Sequence, residues 1–478
     1  MKTSYINGRF IEAGEQELKN INPSDISDVI DTFSRAGRAE TRQAITAAAA
    51  AADSWGRSNP QQRFDILDFI GSEILARREE LGALLSREEG KTLPEGIGEV
   101  TRAGYLFKFF AGEALRIGGE KLDSVRAGAT IDITREPVGV VGIITPWNFP
   151  VAIPAWKIAP ALCYGNAVVF KPAELVPSSA WALAEIISRS GLPAGVFNMV
   201  IGPGREVGDE IIGSNEVQAI TFTGSVSTGT MIAQRCAARM AKVQLELGGK
   251  NPLIVLDDAD LEQAVDVAVQ GSFYSTGQRC TASSRIIVTD GIYNDFIALL
   301  AKRTKALRVG NALSSDTQIG PVASASQLQQ DLEYIEIAKQ EGATLLVGGK
   351  RIEGETEGYY LQPAIFTDVD NRMRICREEV FGPVATVSRV ADYEAALAEA
   401  NDTQFGLSAG ICTTSLKYAE HYKRHAKAGM VMVNLPTAGV DYHVPFGGTK
   451  ASSYGPREQG RYAAEFYTRV KTAYQKAD

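Results

Sequence analysis

Val138-Gly139-Val140-Val141-Gly142-Ile143-Ile144, closed by Thr145-Pro146-Trp147-Asn148-Phe149-Pro150, is the stretch whose reading decides the fold. A continuous apolar run of this length, stopped by prolines, reads as a strand buried on both faces. Four more short runs follow: Ala167-Val168-Val169-Phe170, Gly195 to Ile201, Ala219-Ile220-Thr221-Phe222 and Val243-Gln244-Leu245-Glu246. Helical text separates them, over Ala155 to Leu162, Ser178 to Ser190 and two later stretches. Five buried strands alternating with helices predict a parallel sheet covered on both faces. Ligands of such sheets sit beyond the C-terminal ends of the strands, so a nucleotide cofactor is the default expectation there. The phosphate loop is not GxGxxG. It is Gly224-Ser225-Val226-Ser227-Thr228-Gly229, a helix start whose free amides and Ser225 hydroxyl suit a phosphate. The same pattern also serves simple helix packing.

A second α/β pattern begins at Asn251. Leu253 to Leu256 reads as a strand, Leu261 to Tyr274 as a helix, Ser284 to Val288 as a strand and Phe296 to Val309 as a helix. Leu345-Leu346-Val347, Ala364-Ile365-Phe366, the text after Gly382-Pro383 and Met430 to Asn434 are strand-like. Upstream, Tyr5 to Ile11 reads as a hairpin turning at Asn7-Gly8. From Glu40 to Phe109 the pattern is mostly helical, with Ile45, Trp55, Phe64, Leu67, Ile70 and Leu75 apolar and Gly90 closing a helix. Two alternating stretches, Thr130 to Arg135 and Thr468 to Tyr474, are expected to pair. They form either an arm that joins subunits or two edge strands of one sheet.

Composition narrows the class. The 478 residues, 45% hydrophobic and 22% charged, fit a large globular protein of two or three domains. A net charge of −8 gives no basic footprint for nucleic acid. No apolar run reaches the ~18–20 residues of a membrane span, and the first residues lack the apolar core of a signal peptide. Cys163, Cys236, Cys280, Cys376 and Cys412 are scattered, odd in number and in no CxxC pair. A reducing cytoplasm is therefore the expected compartment. His421 and His425 could share a helix face, but Lys423 and Arg424 lie between them and no third ligand is near. A solvated face is expected there, and no metal site.

Glu246-Leu247-Gly248-Gly249-Lys250 and Gly277-Gln278-Arg279-Cys280-Thr281 carry the chemistry. The first offers a carboxylate able to act as a base, the second a thiol able to act as a nucleophile. Small residues around both let a substrate approach the backbone. Taken alone, a single Cys is most often a small buried hydrophobe.

Together these segments resemble the aldehyde dehydrogenase superfamily over essentially the whole chain. The motifs are Pro146-Trp147-Asn148-Phe149-Pro150, Lys171-Pro172-Ala173-Glu174, Phe222-Thr223-Gly224-Ser225, Glu246 to Lys250, Gly277-Gln278-x-Cys280, Glu379-x-Phe381-Gly382-Pro383 and Pro445-Phe446-Gly447-Gly448, in matching order and spacing. The resemblance implies a Rossmann-type cofactor unit (residues 1–120 and 138–248), an α/β catalytic unit (249–434) and a small β arm for oligomerisation (121–137 and 460–478). Residues 435–459 would be a returning loop, and a homodimer or homotetramer is implied.

The resemblance also implies roles. Cys280 is the expected nucleophile, and Asn148 with the Cys280 backbone N–H the oxyanion hole. Glu246 is expected to activate the water that hydrolyses a thioester, which favours hydrolysis over transfer to coenzyme A. Lys171 and Glu174 are expected on the adenosine ribose, and Glu379 and Phe381 on the nicotinamide ribose and ring. Thr145, Pro146, Trp147, Ala173, Gly204, Gly224, Ser225, Leu247 and Gly248 would complete the cofactor site, with Lys171 also counted as catalytic. Glu174 would repel a 2′-phosphate, so NAD is expected ahead of NADP. Phe149, Trp156 and Thr281 are expected to wall the aldehyde site. Arg279 is expected to hold a substrate carboxylate and lower the Cys280 pKa, or else to point away and pair with a surface acid. Trp156-Lys157, Ser275 to Ala282 and Arg457-Glu458-Gln459-Gly460 are most like the branch that oxidises 2-oxoglutarate semialdehyde (2,5-dioxopentanoate). Succinate or glutarate semialdehyde, a broad aldehyde range, or a catalytically silent binding relative are the alternatives.

Overall fold

The computed structural model describes residues 1–12 and 16–476. Residues 13–15 of the expected cofactor unit and 477–478 of the expected arm lie outside the described residues. β1 (Ser4–Ile6) and β2 (Arg9–Ile11) form the expected hairpin. Asn7 (φ 50°) and Gly8 (φ 80°) both adopt the left-handed backbone that a two-residue turn requires. A second hairpin, β3 (Glu17–Asn22) with β4 (Asp25–Ser34), was not visible in the sequence. Its strands are charged and bulged, so they lack a clean period of two.

Four helices follow: α1 (Arg38–Gly56), α2 (Pro60–Ala76), α3 (Arg78–Glu89) and α4 (Leu93–Ala114). The alanine run of α1 buries Ala44, Ala48 and Ala51 beside Ile45 and Trp55. In α2 the core-facing residue of the last turn is Ile74 rather than Leu75. α3 ends where expected, because Gly90 takes φ 101°. α4 starts on a capping box, Thr92 with Glu95. Then come β5 (Glu120–Asp123) and β6 (Ala129–Pro137).

The first large sheet contains β7 (Val140–Ile144), β8 (Ala167–Lys171), β9 (Phe197–Met199), β10 (Ala219–Thr223) and β11 (Lys242–Glu246), all parallel. Helices α5 (Ala152–Cys163), α6 (Pro177–Ser188), α7 (Asp209–Gly213) and α8 (Val226–Ala238) connect them. Alternate residues serve opposite faces. Val141, Ile143, Val168 and Phe170 pack with α2, α4 and α5, whereas Val140, Ala167, Val169 and Ile220 pack with α1. The strand order is β11-β10-β7-β8-β9, continued by the antiparallel β1 and β2. The chain therefore leaves β7 toward one edge and later returns to β10 on its other side. The crevice between the C-terminal ends of β7 and β10 is the topological switch point where such sheets take ligands.

The second large sheet comprises β12 (Pro252–Val255), β13 (Arg285–Thr289), β14 (Thr344–Val347), β15 (Ala364–Thr367), β16 (Val384–Val390), β17 (Ser408–Cys412) and β18 (Met430–Val433). It is ordered β14-β15-β16-β13-β12-β17-β18 and carries α9 (Leu261–Phe273), α10 (Tyr293–Lys305) and α11 (Ala325–Gln340) among its helices. Arg285 is buried and bonds Asn371 and the Glu399 carbonyl. Two strands close the chain. β19 (Ser453–Tyr454) pairs antiparallel with β11, and β20 (Thr468–Lys476) pairs with β6 along its whole length. Thus the two remote alternating stretches do meet, and β5 adds a third strand to their separate sheet. The His421 and His425 rings stack 3.7 Å apart on one helix, and no metal-holding cluster of three or more His, Cys, Asp or Glu occurs among the described residues. No described helix is long and apolar enough to cross a membrane.

Candidate active site

The segment carrying Cys280 leaves α9 through a strained turn. Ser275 (φ 52°), Thr276 (φ 56°) and Gly277 (φ 66°) are consecutively left-handed. Each non-glycine residue there costs about 1–3 kcal/mol, so the surroundings must hold the turn in place. They do: the Ser275 N–H donates to Glu95 Oε1 at 2.7 Å, and the Thr276 hydroxyl to the Gly320 carbonyl at 3.1 Å. Gly277 has no room for a side chain, because the Gly382 carbonyl lies where its Cβ would stand. Beyond the turn, Asn251 Nδ2 donates to the Cys280 carbonyl at 2.8 Å.

Cys280 is partly accessible on the wall of a cavity of about 370 Å³. Phe149, Trp156, Val440 and Phe446 make the cavity apolar, with Trp156 stacked on Phe446 at 5.4 Å. Thr281 and Arg279 also line it. The expected lowering of the Cys280 pKa is not what this environment produces. Burial, then the charges of Glu379 and Glu246, push the thiol up, and its own backbone N–H offsets this only in part. Arg279 does not reverse the balance. Its Nη2 is committed to the Gln270 carbonyl at 2.6 Å, and burial lowers its pKa against the pull of Glu95. Among the described residues it makes no ion pair with a surface acid.

Asn148 is buried at the end of the loop after β7. Its Nδ2 donates one hydrogen to the Gln278 carbonyl at 3.0 Å, beside the nucleophile's loop, and its amide has a second hydrogen to give. Its own carbonyl accepts from Lys91 Nζ at 2.7 Å. Glu246, ending β11, is 2% exposed and accepts from the Ser453 hydroxyl at 2.6 Å. Gly447 lets this carboxylate lie against the backbone, since a Cβ there would fall 2.7 Å from Oε1. Burial and then Glu458 hold Glu246 well above the usual carboxylate range, while Ser453, Lys157 and Arg457 pull it back in part.

The switch-point crevice gathers the expected cofactor residues. Thr145 ties the end of β7 to the Lys171 carbonyl. Trp147 meets Phe381 edge to face at 5.5 Å, and Phe381 is itself left-handed (φ 67°). Pro146 and Ala173 are half-buried in the loops after β7 and β8. Ser225 caps α8 by accepting from the Thr228 N–H. Gly224 precedes it, and Leu247 packs against Gly229. Gly204 opens a turn on which a Cβ would meet nothing within 4 Å, so that wall is open space. Glu379 Oε1 accepts from the Gly249 N–H at 2.8 Å, and Gly248 needs its missing Cβ for Glu379 to approach. Burial lowers Lys171 to about 8, and its Nζ donates to the Pro172 carbonyl at 2.9 Å. Thr223 Oγ1, at the end of β10, is buried without a partner. Donors at a helix start, an open wall and exposed-side acids on both flanks fit a dinucleotide. Glu174 differs from expectation in one respect: Arg35 grips its Oε1 at 2.7 Å. That cation offsets part of the repulsion Glu174 would exert on a 2′-phosphate.

Several functional candidates were missed in the sequence. Lys91 and Glu99 form a buried pair at 2.7 Å, and Glu99 Oε1 also takes the Val151 and Ala152 N–H groups. Arg102, one turn further along α4, lines the Cys280 cavity with Ala438, Gly439 and Val440 from the stretch 435–459 expected as a returning loop. Lys157 sits fully buried in α5, paired with Glu458 and bonded to Thr221 Oγ1 at 2.8 Å. Here a sequence signal existed, because an ionisable group inside Ala155 to Leu162 must find a partner. Lys157→Met should lower stability by about 3–5 kcal/mol, since Glu458 would be left buried and uncompensated. Lys157→Met/Glu458→Leu should recover most of that loss in urea unfolding. An equal loss in both variants would refute the pairing argument.

An aldehyde dehydrogenase family profile matches residues 10–473. The chain is 44% identical over 476 residues to a Bacillus subtilis protein named alpha-ketoglutaric semialdehyde dehydrogenase, covering 99% of this chain and 98% of that one. It is 43% identical to a Haloferax volcanii alpha-ketoglutarate semialdehyde dehydrogenase, with 98% of each covered. A crystal structure of Staphylococcus aureus betaine aldehyde dehydrogenase in complex with NAD⁺ superposes with a TM-score of 0.97 at 37% identity, covering 100% of this chain and 95% of that one. Likeness over the full length decides the family: the chain belongs to the aldehyde dehydrogenase family, enzymes that oxidise aldehydes with NAD or NADP.

Proposed function

We propose that this enzyme oxidises 2-oxoglutarate semialdehyde to 2-oxoglutarate, with NAD preferred and NADP accepted. The observation that carries the substrate is the cavity at Cys280. It is apolar along Phe149, Trp156 and Phe446 and carries Lys91, Arg102 and Arg279 against Glu95 and Glu99, a surplus of cations that suits a short carbon chain with an anionic end. The relatives named above support the same choice.

In this reading the Cys280 thiolate adds to the aldehyde carbon. The second Asn148 amide hydrogen and the Cys280 N–H hold the oxyanion. When bound, NAD supplies the hydride acceptor, and Cys280 is left carrying a thioester. Glu246 takes a proton from the water that attacks this thioester, releasing the acid and the free thiol. Lys171, Glu174, Glu379 and the start of α8 would hold the cofactor. Residues 1–120 and 138–248 are assigned to cofactor binding, 249–434 to catalysis, 121–137 and 460–478 to the oligomerisation arm, and 435–459 to the returning loop. Exposed Leu122, Val125, Val470 and Tyr474 on the arm support a homodimer or homotetramer, which a mass measurement decides. A cytoplasmic location is consistent with five free cysteines.

The test is initial rate with NAD and NADP against 2-oxoglutarate, succinate and glutarate semialdehydes, benzaldehyde and propanal. 2-Oxoglutarate semialdehyde should lead by at least ~10-fold in kcat/KM, about 1.4 kcal/mol of transition-state preference. A flat profile, or a neutral aldehyde on top, would discard this substrate.

A further inference from the structure

We propose that Arg102, a cation on the cavity wall that makes no ion pair among the described residues, is the residue that grips the substrate's distal carboxylate. The proposal rests on the reading of a carboxylated aldehyde substrate given above. Arg102 Nε is withdrawn from solvent and has no partner. Its Nη2 donates to Gln459 Oε1 at 3.0 Å, and no carboxylate lies within ion-pair distance of it among the described residues. The guanidinium lies over the Trp156 ring at 5.7 Å, and Trp156 Nε1, on the same cavity wall, is also buried and unpartnered.

Two more donors share this condition. Gln459, behind Arg102, is fully buried and left-handed (φ 61°), and its Nε2 has no acceptor. Arg279 Nε, on the cavity's other side, has none either. Three buried N–H donors on residues of one cavity wall, two of them cations, and a fourth behind Arg102 lack what a planar anion brings. The nearby acids cannot serve. Glu99 is spent on Lys91, Val151 and Ala152, Glu95 on Thr92 and Ser275, and Asp441, the other acid that acts on Arg102, forms no ion pair with it among the described residues. Both guanidiniums feel an acid, Glu95 for Arg279 and Glu99 for Arg102, and Arg279 is the weaker anchor because Gln270 holds its Nη2 at 2.6 Å, against 3.0 Å for the Arg102 bond to Gln459. The rest of the Arg102 fork is left for a carboxylate.

The test compares wild type, Arg102→Met, Arg102→Lys and Arg279→Ala on 2-oxoglutarate semialdehyde, glutarate semialdehyde and pentanal. In Arg102→Met the KM for both carboxylated aldehydes should rise by roughly 30-fold or more, with a much smaller change in kcat. The preference for glutarate semialdehyde over pentanal should fall at least ~10-fold. Arg102→Lys should restore part of that preference, since a point charge replaces a fork. Competitive inhibition by 2-oxoglutarate should weaken in parallel in Arg102→Met. A preference that survives Arg102→Met, or a loss equal for pentanal, overturns the proposal. If that surviving preference collapses in Arg279→Ala, the substrate reading stands and only Arg102 is displaced. A wild type with no preference for carboxylated aldehydes removes the substrate reading and Arg102 together.

Discussion

Cys280→Ala should reduce kcat by at least about 10⁴-fold, the scale seen when a covalent nucleophile is removed. The variant should fold, because Cys280 packs only at the margin of a small cluster around Leu407, Met430, Val440 and Phe446, and alanine removes one atom there. NAD binding, read by fluorescence, should persist and thereby separate lost chemistry from a lost site. The wild-type thiol makes a second expectation. Burial, Glu379 and Glu246 all raise its pKa, so near neutral pH the free enzyme holds mostly thiol. Only the thiolate attacks an alkylating reagent, so the rate of iodoacetamide inactivation should climb about tenfold per pH unit between roughly pH 7 and 9. A pH-independent rate would mean that the thiolate is already formed and that some cation outweighs the two carboxylates. A fully active Cys280→Ala would show that Cys280 is not the nucleophile.

The parts of the fold that the sequence displayed are those buried on both faces. The strands β7, β8 and β10 are mostly apolar runs because helices cover both sides of them. β17 is just as buried, yet Ser408-Ala409-Gly410-Ile411-Cys412 holds a single β-branched residue and no aromatic. Its strand state comes from its place between β12 and β18, which only the assembled sheet supplies. The site divides in the same way. Cys280, Glu246 and Asn148 stand in short glycine- and proline-marked loops whose residue order is informative. Glu99 and Arg102 stand on an amphipathic helix, where two charges three residues apart read as a solvated face. Packing of α4 against α5 turns that face inward and makes them part of the cavity. Arg35 illustrates the limit for the cofactor: nothing in the text near Glu174 announces a cation from another part of the chain.

Glu246→Gln should give an enzyme that produces about one equivalent of reduced cofactor per subunit and then slows by roughly 10³-fold, within the range lost when a general base is removed. Glutamine keeps the size of the side chain and can still meet the Ser453 hydroxyl, so the acylation half of the reaction retains its geometry. What it cannot do is take a proton from water, and the thioester on Cys280 should therefore accumulate. Rapid-quench mass measurement should find the subunit heavier by the acyl group. In wild type the same residue sets the acid side of the pH profile. Burial and Glu458 hold the Glu246 carboxyl protonated to higher pH than an ordinary glutamate. The base form, and with it thioester hydrolysis, should rise as pH climbs through that raised value and be lost as pH falls below it. Glu246→Gln should abolish this limb while sparing the amplitude of the burst. Steady turnover at the wild-type rate with no burst would show that another group activates the water, and Glu458, whose Oε2 is buried without a partner beside Lys157, would be the next residue to replace.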